Sequence, residues 1–224
     1  MGTITILPET TLNPISLIGQ RAGICWGADT SDREKNYKRG WDCIESGHGR
    51  TMEFVSVDMI IEGYSARVIR EYMRHVGGGL TVLQASTRYI NYDEFGYVMP
   101  PSIAAVENAA EKYQEIMREI GHSINVLTDM GVTREDAAML LPFGMTTKLV
   151  DHKNLRNLVD MSRQRMCNRA YWEFRELFRD ISIALTNYSE EWAKVVSKCF
   201  YPKCQETQSC PESKGCGRYP KRGG

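Results

Sequence analysis

One short stretch of the chain, Arg74–Tyr89, combines residue types that bind anions. It holds two arginines, a histidine, the hydroxyl pair Ser86 and Thr87, and three consecutive glycines. Glycine lets the backbone approach an anion without obstruction by a side chain, and a guanidinium can hold a phosphate through two parallel hydrogen bonds. The stretch therefore predicts a phosphate-binding loop. The alternative is a flexible surface turn with solvated arginines.

A second polar group lies on a segment with helical spacing. At about 100° per residue, one face carries Asn154, Asn157, Met161, Arg165 and Asn168. Apolar residues flank this face and indicate that most of the helix is buried: Leu155, Leu158, Met166, Ala170 and Trp172. A buried arginine needs a carboxylate or a ligand, so this face predicts a binding site. The alternative is a solvated polar face.

Hydrophobic periodicity and turn residues predict the elements that position these groups. In chain order they are a strand-like segment at 3–23, a helical or irregular segment at 30–47, a strand at 52–62, a helix at 65–75, a broken segment at 92–101, a helix at 102–127, a helix capped by Thr133 that stops near Pro142, a short strand at 146–150 and a helix at 154–185. Long helices with a few strands and no regular alternation predict an α+β fold.

Length, composition and charge narrow the class of protein. A chain of 224 residues with 42% hydrophobic residues can bury one sizeable core. The 28 basic and 28 acidic side chains give no net charge, which argues against non-specific electrostatic binding to a nucleic acid polymer. No apolar run is long enough for a membrane helix, and Met1–Pro14 lacks the pattern of a signal peptide. We therefore expect a cytoplasmic protein without membrane contact.

The seven cysteines fall into two groups. Cys25, Cys43 and Cys167 are spread through the body of the chain and are most simply reduced, packed thiols. The other four lie in a polar segment rich in Pro and Gly: Cys199, Cys204, Cys210 and Cys216. Their spacing is looser than that of a zinc ribbon, so a structural zinc, disulfides and free thiols all stay open, and no metal is assigned. The predicted division is a catalytic domain at 1–198 and a cysteine-rich tail at 199–224.

Four groups of motif residues occur in a fixed order between residues 47 and 218. They are Gly47-His48 with Glu53; Arg74-His75 with Gln84-x-Ser86-x-Arg88-Tyr89; Leu141-Pro142, Thr146 or Thr147, Asn154-x-Arg156 and Arg165, followed by Ala170-x-Trp172-Glu173 and Arg175; and the tail from Cys204 through Cys210-Pro211-Glu212 to Cys216-Gly217-Arg218. In order and spacing, the chain resembles the flavin-dependent thymidylate synthase family, the ThyX type. The resemblance implies that family's fold, with a central mixed or antiparallel sheet and long helices.

The resemblance also implies an activity. Such enzymes are homotetramers that hold FAD at subunit interfaces, stack dUMP on the flavin, take a one-carbon unit from methylenetetrahydrofolate and take reducing equivalents from NADPH. Carried over residue by residue, the cofactor-binding positions are His48, Arg50, Glu53, Arg74, His75, Asn154, Arg156 and Asp160. The substrate-binding positions are Glu71, Arg74, Gln84, Ala85, Ser86, Thr87, Arg88 and Arg165. His48 has an alternative interpretation as a packed structural histidine.

Arg165 is the predicted catalytic residue. In the family pattern it sits against the uracil edge and favours the ring with an ionised N3, which makes the ring carbon more nucleophilic. A fixed guanidinium in a pocket of low dielectric stabilises such a charge without titrating near neutral pH.

The chain departs from the family pattern at several positions. Val76 replaces the third residue of the Arg-His-Arg motif, and the glycine run lengthens the interval to Arg88 by two residues. Ala138 stands where members carry an arginine that reaches the nucleotide phosphate, and Glu71 stands where a glutamine is common. Arg50 and Asp160 also differ from the usual residues. Arg50, or backbone N–H groups of the glycine run, would have to replace the lost cations.

These departures leave three hypotheses for function. The first is methylation of dUMP to dTMP. The second is a related flavin-dependent one-carbon transfer to another pyrimidine nucleotide such as dCMP, or one that yields a hydroxymethyl product. A carboxylate at Glu71 favours an amino group over a uracil carbonyl. The third is a homologue that binds flavin or nucleotide without catalysis.

Overall fold

The computed structural model describes residues 2–77, 81–92 and 94–221. Four strands form one antiparallel sheet in the order β1-β2-β4-β3. The strands are β1 (Thr3–Ile6), β2 (Ser56–Ser65), β3 (Thr81–Gln84) and β4 (Thr146–Asn154). Helices occupy most of the remaining chain, so the α+β prediction is confirmed.

The α-helices of the described residues, in chain order, are α1 (Pro14–Cys25), α2 (Arg33–Glu45), α3 (Ala66–Tyr72), α4 (Pro101–Ala104), α5 (Ala109–Asp129), α6 (Arg134–Ala137), α7 (Leu155–Arg165), α8 (Trp172–Tyr188), α9 (Glu190–Cys199) and α10 (Lys203–Thr207). Short 3-10 helices add Gly49–Phe54 and Ala138–Leu140. No helix in the described part of the chain is long and apolar enough to cross a membrane.

Side-chain caps explain where several helices begin. Asp32 accepts hydrogen bonds from two N–H groups of α2. Thr133 accepts from the N–H of Asp136, as predicted, and Ser189 accepts from that of Trp192. Each cap satisfies donors that have no partner within the helix.

Several predicted elements differ from the structure: the strand predicted at 146–150 runs to Asn154, the one predicted at 52–62 begins at Ser56, and β3 was not predicted. Three larger differences concern helices. The segment at 3–23 is a strand only to Ile6 and is helical from Pro14, because proline fits the first helical turn. The helix predicted at 102–127 is two helices, since Asn108 adopts a left-handed conformation with φ of 60°. The helix predicted at 154–185 is also two, α7 and α8. Between them a turn closes with a hydrogen bond of 2.9 Å from the Ala170 N–H to the Cys167 carbonyl.

The chain divides into two units. Unit 1 comprises Met1–Thr3, Ile61–Tyr72 and Leu83–Val150. Its buried centre is Phe95, Met117 and Met145. Tyr97 meets Phe95 edge to face, and Tyr113 meets Tyr97 in the same way.

Unit 2 comprises Ile4–Ile60, Met73–Val82 and Asp151–Gly224. Its fully buried side chains include Ile15, Ile18, Phe174, Phe178 and Trp192. The Trp192 indole N–H donates to the Thr11 carbonyl at 2.7 Å, which satisfies the one polar atom of this buried ring. The cysteine tail is part of this unit. The division into a catalytic domain and a tail at residue 198 stays a prediction.

Two glycines set how closely α1 and α2 approach. A Cβ on Gly19 would clash with the backbone carbonyl of Asn36, and a Cβ on Gly40 would clash with that of Ile15. Both clashes are with backbone, which a side-chain movement cannot relieve. The 3-10 helix Gly49–Phe54 packs against α1, α2 and α7. The distance between α1 and α2 therefore affects the position of this 3-10 helix.

Replacement of Gly19 by alanine tests this contact. In an unconstrained helix the change would stabilise by about 0.5–1 kcal/mol because alanine is the better helix former. Here we expect Gly19→Ala to lower the free energy of unfolding by about 1–3 kcal/mol through overpacking. Urea unfolding measures the change. Lys38→Ala, at an exposed site on α2, is the control, and a stabilised Gly19→Ala protein would contradict the close contact.

Candidate functional site

Arg165 and His75 contact each other within unit 2. Arg165 ends α7, and its Nε–H donates to His75 Nε2 at 2.9 Å. The guanidinium carbon also lies 4.3 Å from the ring centroid of Phe174, a cation–π arrangement. The His75 ring meets the same phenyl ring edge to face, with centroids 5.8 Å apart. The structure thus joins two predicted site residues that are distant in sequence and adds Phe174 as their platform.

The His75 ring is neutral at ordinary pH. Its pKa is lowered to about 4, first by burial and then by the positive charges of Arg165, Lys153 and Arg74. Because Nε2 accepts from Arg165, the ring proton of the neutral form is on Nδ1. His75 therefore holds the guanidinium without cancelling its charge.

A buried ion pair lies at the end of β4 in the same unit. Lys153 Nζ is 3.2 Å from Asp151 Oδ1, and the two side chains are 1% and 0% exposed. Strand alternation turns Thr147, Leu149, Asp151 and Lys153 to one buried face. Buried charges are retained only when paired, so the pair fixes a charged lysine near His75.

Asn154 and Arg156 stand where β4 passes into α7. Asn154 caps α7 by accepting from the Asn157 N–H at 2.8 Å. Arg156 is exposed, forms a loose ion pair of 3.6 Å with Asp160, and its guanidinium lies so close to Gly49 that a Cβ there would clash. The predicted positions Asn154, Arg156 and Asp160 therefore share one helix start.

Three other predicted cofactor-binding residues flank Gly49 in the sequence. His48 is exposed and precedes the 3-10 helix. Arg50 and Glu53 form an ion pair with each other at 2.8 Å on the surface of that helix. Arg74 is exposed beside His75. The approach of Arg156 to Gly49 brings the His48–Glu53 segment to the start of α7.

The predicted substrate-binding stretch after the glycine run belongs to unit 1. The Gln84 amide donates to the Thr147 hydroxyl at 3.3 Å, and the Ala85 N–H donates to the Lys148 carbonyl at 2.8 Å. Hydrogen bonds to β4 thus fix the start of this stretch.

Its later residues are on the surface. Ser86 accepts from the Arg88 N–H at 3.1 Å, and Arg88 Nε donates to Glu135 at 2.8 Å. The Arg88 and Glu135 side chains are 64% and 53% exposed, so this surface pair contributes little to stability. Thr87 is also exposed.

The positions where the chain departs from the family pattern have the following environments. Glu71 is half-buried near the end of α3, and Ala138 is half-buried at the start of the 3-10 helix after α6. Gly77 lies against the Asn157 amide, where a Cβ would fall 2.6 Å from Nδ2. Gly78 and Gly79, the centre of the predicted phosphate loop, lie outside the described residues.

Residues that sequence reasoning missed are Phe174, Asp151 and Lys153. The alternating pattern of β4 would have placed the last two inside. Phe174 carries no such signal, because the turn before α8 determines which part of that helix reaches Arg165.

All seven cysteines are free thiols in the structure. Among the described residues, no three His, Cys, Asp or Glu side chains are arranged as a metal-ligand set. Cys199 is buried, which raises its pKa to about 11.

Comparison with known proteins gives consistent matches. Residues 7–187 match the family model described as thymidylate synthase complementing protein. A flavin-dependent thymidylate synthase of Nitratidesulfovibrio vulgaris is 33% identical over 204 residues, which cover 85% of this chain and 80% of that protein. One of Geobacter sulfurreducens is 30% identical over 222 residues, 95% of this chain and 93% of that protein.

A solved structure shares the fold. The crystal structure of ThyX from Helicobacter pylori, complexed with FAD and dUMP, superposes with a TM-score of 0.63 at 18% identity. The match covers 86% of this chain and 98% of that chain.

The low pKa of His75 predicts a pH dependence of stability. The unfolded chain binds a proton on this ring below about pH 6.5, and the folded chain does so only near pH 4. Stability from the neutral ring is therefore complete above about pH 6.5 and is lost as the pH falls toward 4. The slope is at most about 1.4 kcal/mol per pH unit, reduced by the partial exposure of the ring.

We expect His75→Gln, whose amide oxygen can still accept from Arg165, to flatten this part of the stability profile. Urea unfolding at several pH values across the window measures it. His122→Gln, at an exposed histidine, is the control. An unchanged slope in His75→Gln would show that the ring is not held neutral.

Proposed function

This chain belongs to the flavin-dependent thymidylate synthase family, and we propose that it uses FAD to methylate dUMP to dTMP. The observation that carries the proposal is the fixed Arg165 guanidinium, held by His75 and Phe174 at the end of α7. The relatives are named flavin-dependent thymidylate synthases, and the proposal extends that activity to this chain.

The residues of unit 2 fit a flavin dinucleotide. Arg74 and Arg156 are exposed cations suited to a pyrophosphate, and Asn154 offers an amide at the start of α7. Gly49 leaves room for Arg156 beside the His48–Glu53 segment. When bound, FAD supplies the reducing equivalents for conversion of the transferred one-carbon unit to a methyl group.

Arg165 would act on the pyrimidine. Its contacts with His75 and Phe174 are contacts with two neutral rings. Placed against the ring edge, it stabilises the anion left when the uracil N3 loses its proton. The extra electron density makes carbon 5 a better nucleophile toward the one-carbon unit. Carbon 5 then gives up its hydrogen as the methyl group is completed.

The buried Lys153–Asp151 pair would support this role. Lys153 adds positive charge to the surroundings of His75 and helps keep the imidazole unprotonated. A neutral imidazole preserves the hydrogen bond that orients Arg165. His75 and Lys153 would therefore position the guanidinium and have no direct part in proton transfer.

The finer features of the reaction are also proposals. Methylenetetrahydrofolate would donate the one-carbon unit, NADPH would reduce the flavin, and a homotetramer would supply Gln84–Arg88 to a neighbouring subunit's nucleotide. The support is the match of these positions to the family motifs. A cytoplasmic location stays a prediction from the sequence.

Three features of the chain support a second candidate, in which the substrate is a different pyrimidine nucleotide. Arg88 is paired with Glu135, and Ala138 supplies no cation for the phosphate. Glu71 adds a carboxylate where a glutamine is common. These three features favour a changed nucleotide site, so dCMP, or a hydroxymethyl product, is the second candidate. A homologue that binds flavin without turnover is the third.

Tritium release separates dUMP from dCMP as the substrate, and mass spectrometry of the product separates a methyl from a hydroxymethyl group. Purified protein should carry a flavin absorbance band that NADPH bleaches, and it should release tritium from carbon 5 of labelled dUMP when methylenetetrahydrofolate is present. Release from dCMP alone would establish the second candidate. A bleached flavin without release from either nucleotide would contradict both.

Replacement of Arg165 by lysine tests its role in catalysis. The lysine keeps the charge but loses the planar guanidinium that His75 and Phe174 hold. We expect kcat to fall at least about 100-fold while the spectrum of bound FAD stays unchanged. Arg179→Lys, at an exposed arginine of α8, is the control. A kcat within about threefold of the unaltered protein would exclude the proposed role.

A further inference from the structure

Four of the seven cysteines meet at one cavity of about 230 Å³ in unit 2. Its thiols are Cys167, Cys204, Cys210 and Cys216, and Asn168 and Arg218 also line it. Cys167 and Asn168 come from the turn after α7, and the others come from the tail. Cys199 is not among the lining residues.

Cys216 occupies the position of an activated nucleophile. It is exposed, and the Arg218 backbone, the Arg218 guanidinium and the Asn168 side chain beside it lower its pKa. The side-chain oxygen Oδ1 of Asn168 accepts a hydrogen bond from the Arg218 guanidinium at 3.1 Å. Hydrogen bonds and a nearby cation stabilise the thiolate, and both lower the pKa of Cys216.

Cys210 lines the same cavity and lies against the residue that precedes Cys216. Its sulfur is 3.3 Å from the position of a Cβ on Gly215, the residue before Cys216. The Cys210 backbone is anchored by its N–H, which donates to the Pro220 carbonyl at 2.7 Å. A buried thiol beside an exposed thiol of lowered pKa is the arrangement of a resolving and an attacking cysteine.

The charge of the cavity favours an anionic reaction partner. Arg169, Lys203 and Arg218 line it, as does Arg163, which is paired with Glu206. The one carboxylate among the lining residues is Glu212. A small molecule with carboxylates would therefore find a positive field around Cys216.

We propose that Cys216 and Cys210 form a thiol–disulfide exchange site whose reaction partner is a small anionic disulfide. The Cys216 thiolate attacks one sulfur of the partner, forms a mixed disulfide and releases the first thiolate. Cys210 loses its proton to the released thiolate or to water and attacks the Cys216 sulfur. This step forms the Cys210–Cys216 disulfide and releases the second thiolate. The protein loses two electrons, which reduce the partner to two thiols.

This site is independent of the proposed methylation, since none of its residues is assigned to flavin or nucleotide. The five residues between the two cysteines end in Gly215, and Gly217 follows Cys216 with φ of 85°. Such a segment can bring the two sulfurs to bonding distance within the cavity.

The test uses the reduced full chain and the dianionic aromatic disulfide 5,5′-dithiobis(2-nitrobenzoate). Mass spectrometry of the quenched protein should show a fast loss of two hydrogens, and peptide mapping should locate a Cys210–Cys216 link. Cys210→Ser should stop at a mixed disulfide on Cys216. Cys216→Ser should abolish the fast phase, whereas Cys25→Ser, at an exposed cysteine of α1, should not change it.

A neutral disulfide, 2,2′-dithiodipyridine, tests the charge of the cavity. Arg218→Gln should slow the dianionic probe more than the neutral probe, by about threefold or more. Equal slowing of both probes would remove the anionic preference. A fast phase that survives in Cys216→Ser, or a link from Cys216 to Cys167 or Cys204, would overturn the assigned pair.

Discussion

A guanidinium held by a neutral imidazole is the contact on which the proposed chemistry of this chain depends. Arg165 is useful to an anionic transition state only if its charge is fixed in place and not cancelled by the group that fixes it. A carboxylate would orient the arginine but neutralise it. His75 accepts the Arg165 hydrogen bond at 2.9 Å, and Phe174 offers its negative ring face. Burial and the surrounding cations keep the imidazole in the form that can accept.

The junction of β4 and α7 supplies most of these groups from one short segment. Strand alternation buries Asp151 and Lys153, which form an ion pair close enough to His75 to affect its pKa. Asn154 then caps the helix, and its side chain is placed at the helix start by that cap. Three turns later the helix ends at Arg165. The change from strand to helix therefore sets the distance between the proposed FAD-binding residues and the proposed catalytic arginine.

The turn after α7 lies between the two proposed sites, the one at Arg165 and the thiol cavity. Its helix side ends in Arg165, while Cys167 and Asn168 line the thiol cavity with the tail. The cysteines of the tail differ because their surroundings differ. Burial raises the pKa of Cys199, whereas hydrogen bonds and the charge of Arg218 lower that of Cys216. The tail thus holds both a packed thiol and a reactive one, although its sequence presents them as equivalent.

The sequence by itself determined the α+β class, the Thr133 cap and the motif residues at both ends of the glycine run, because these depend on local spacing and residue type. It also indicated that Arg165 lies on a mostly buried helix. It did not reveal that α7 ends there, since the residues that follow contain neither glycine nor proline. Only the tertiary structure decided that Phe174 and His75 hold Arg165 and that Cys167 joins the tail thiols. Those contacts join residues far apart in the chain, and no local pattern encodes which distant side chains will meet.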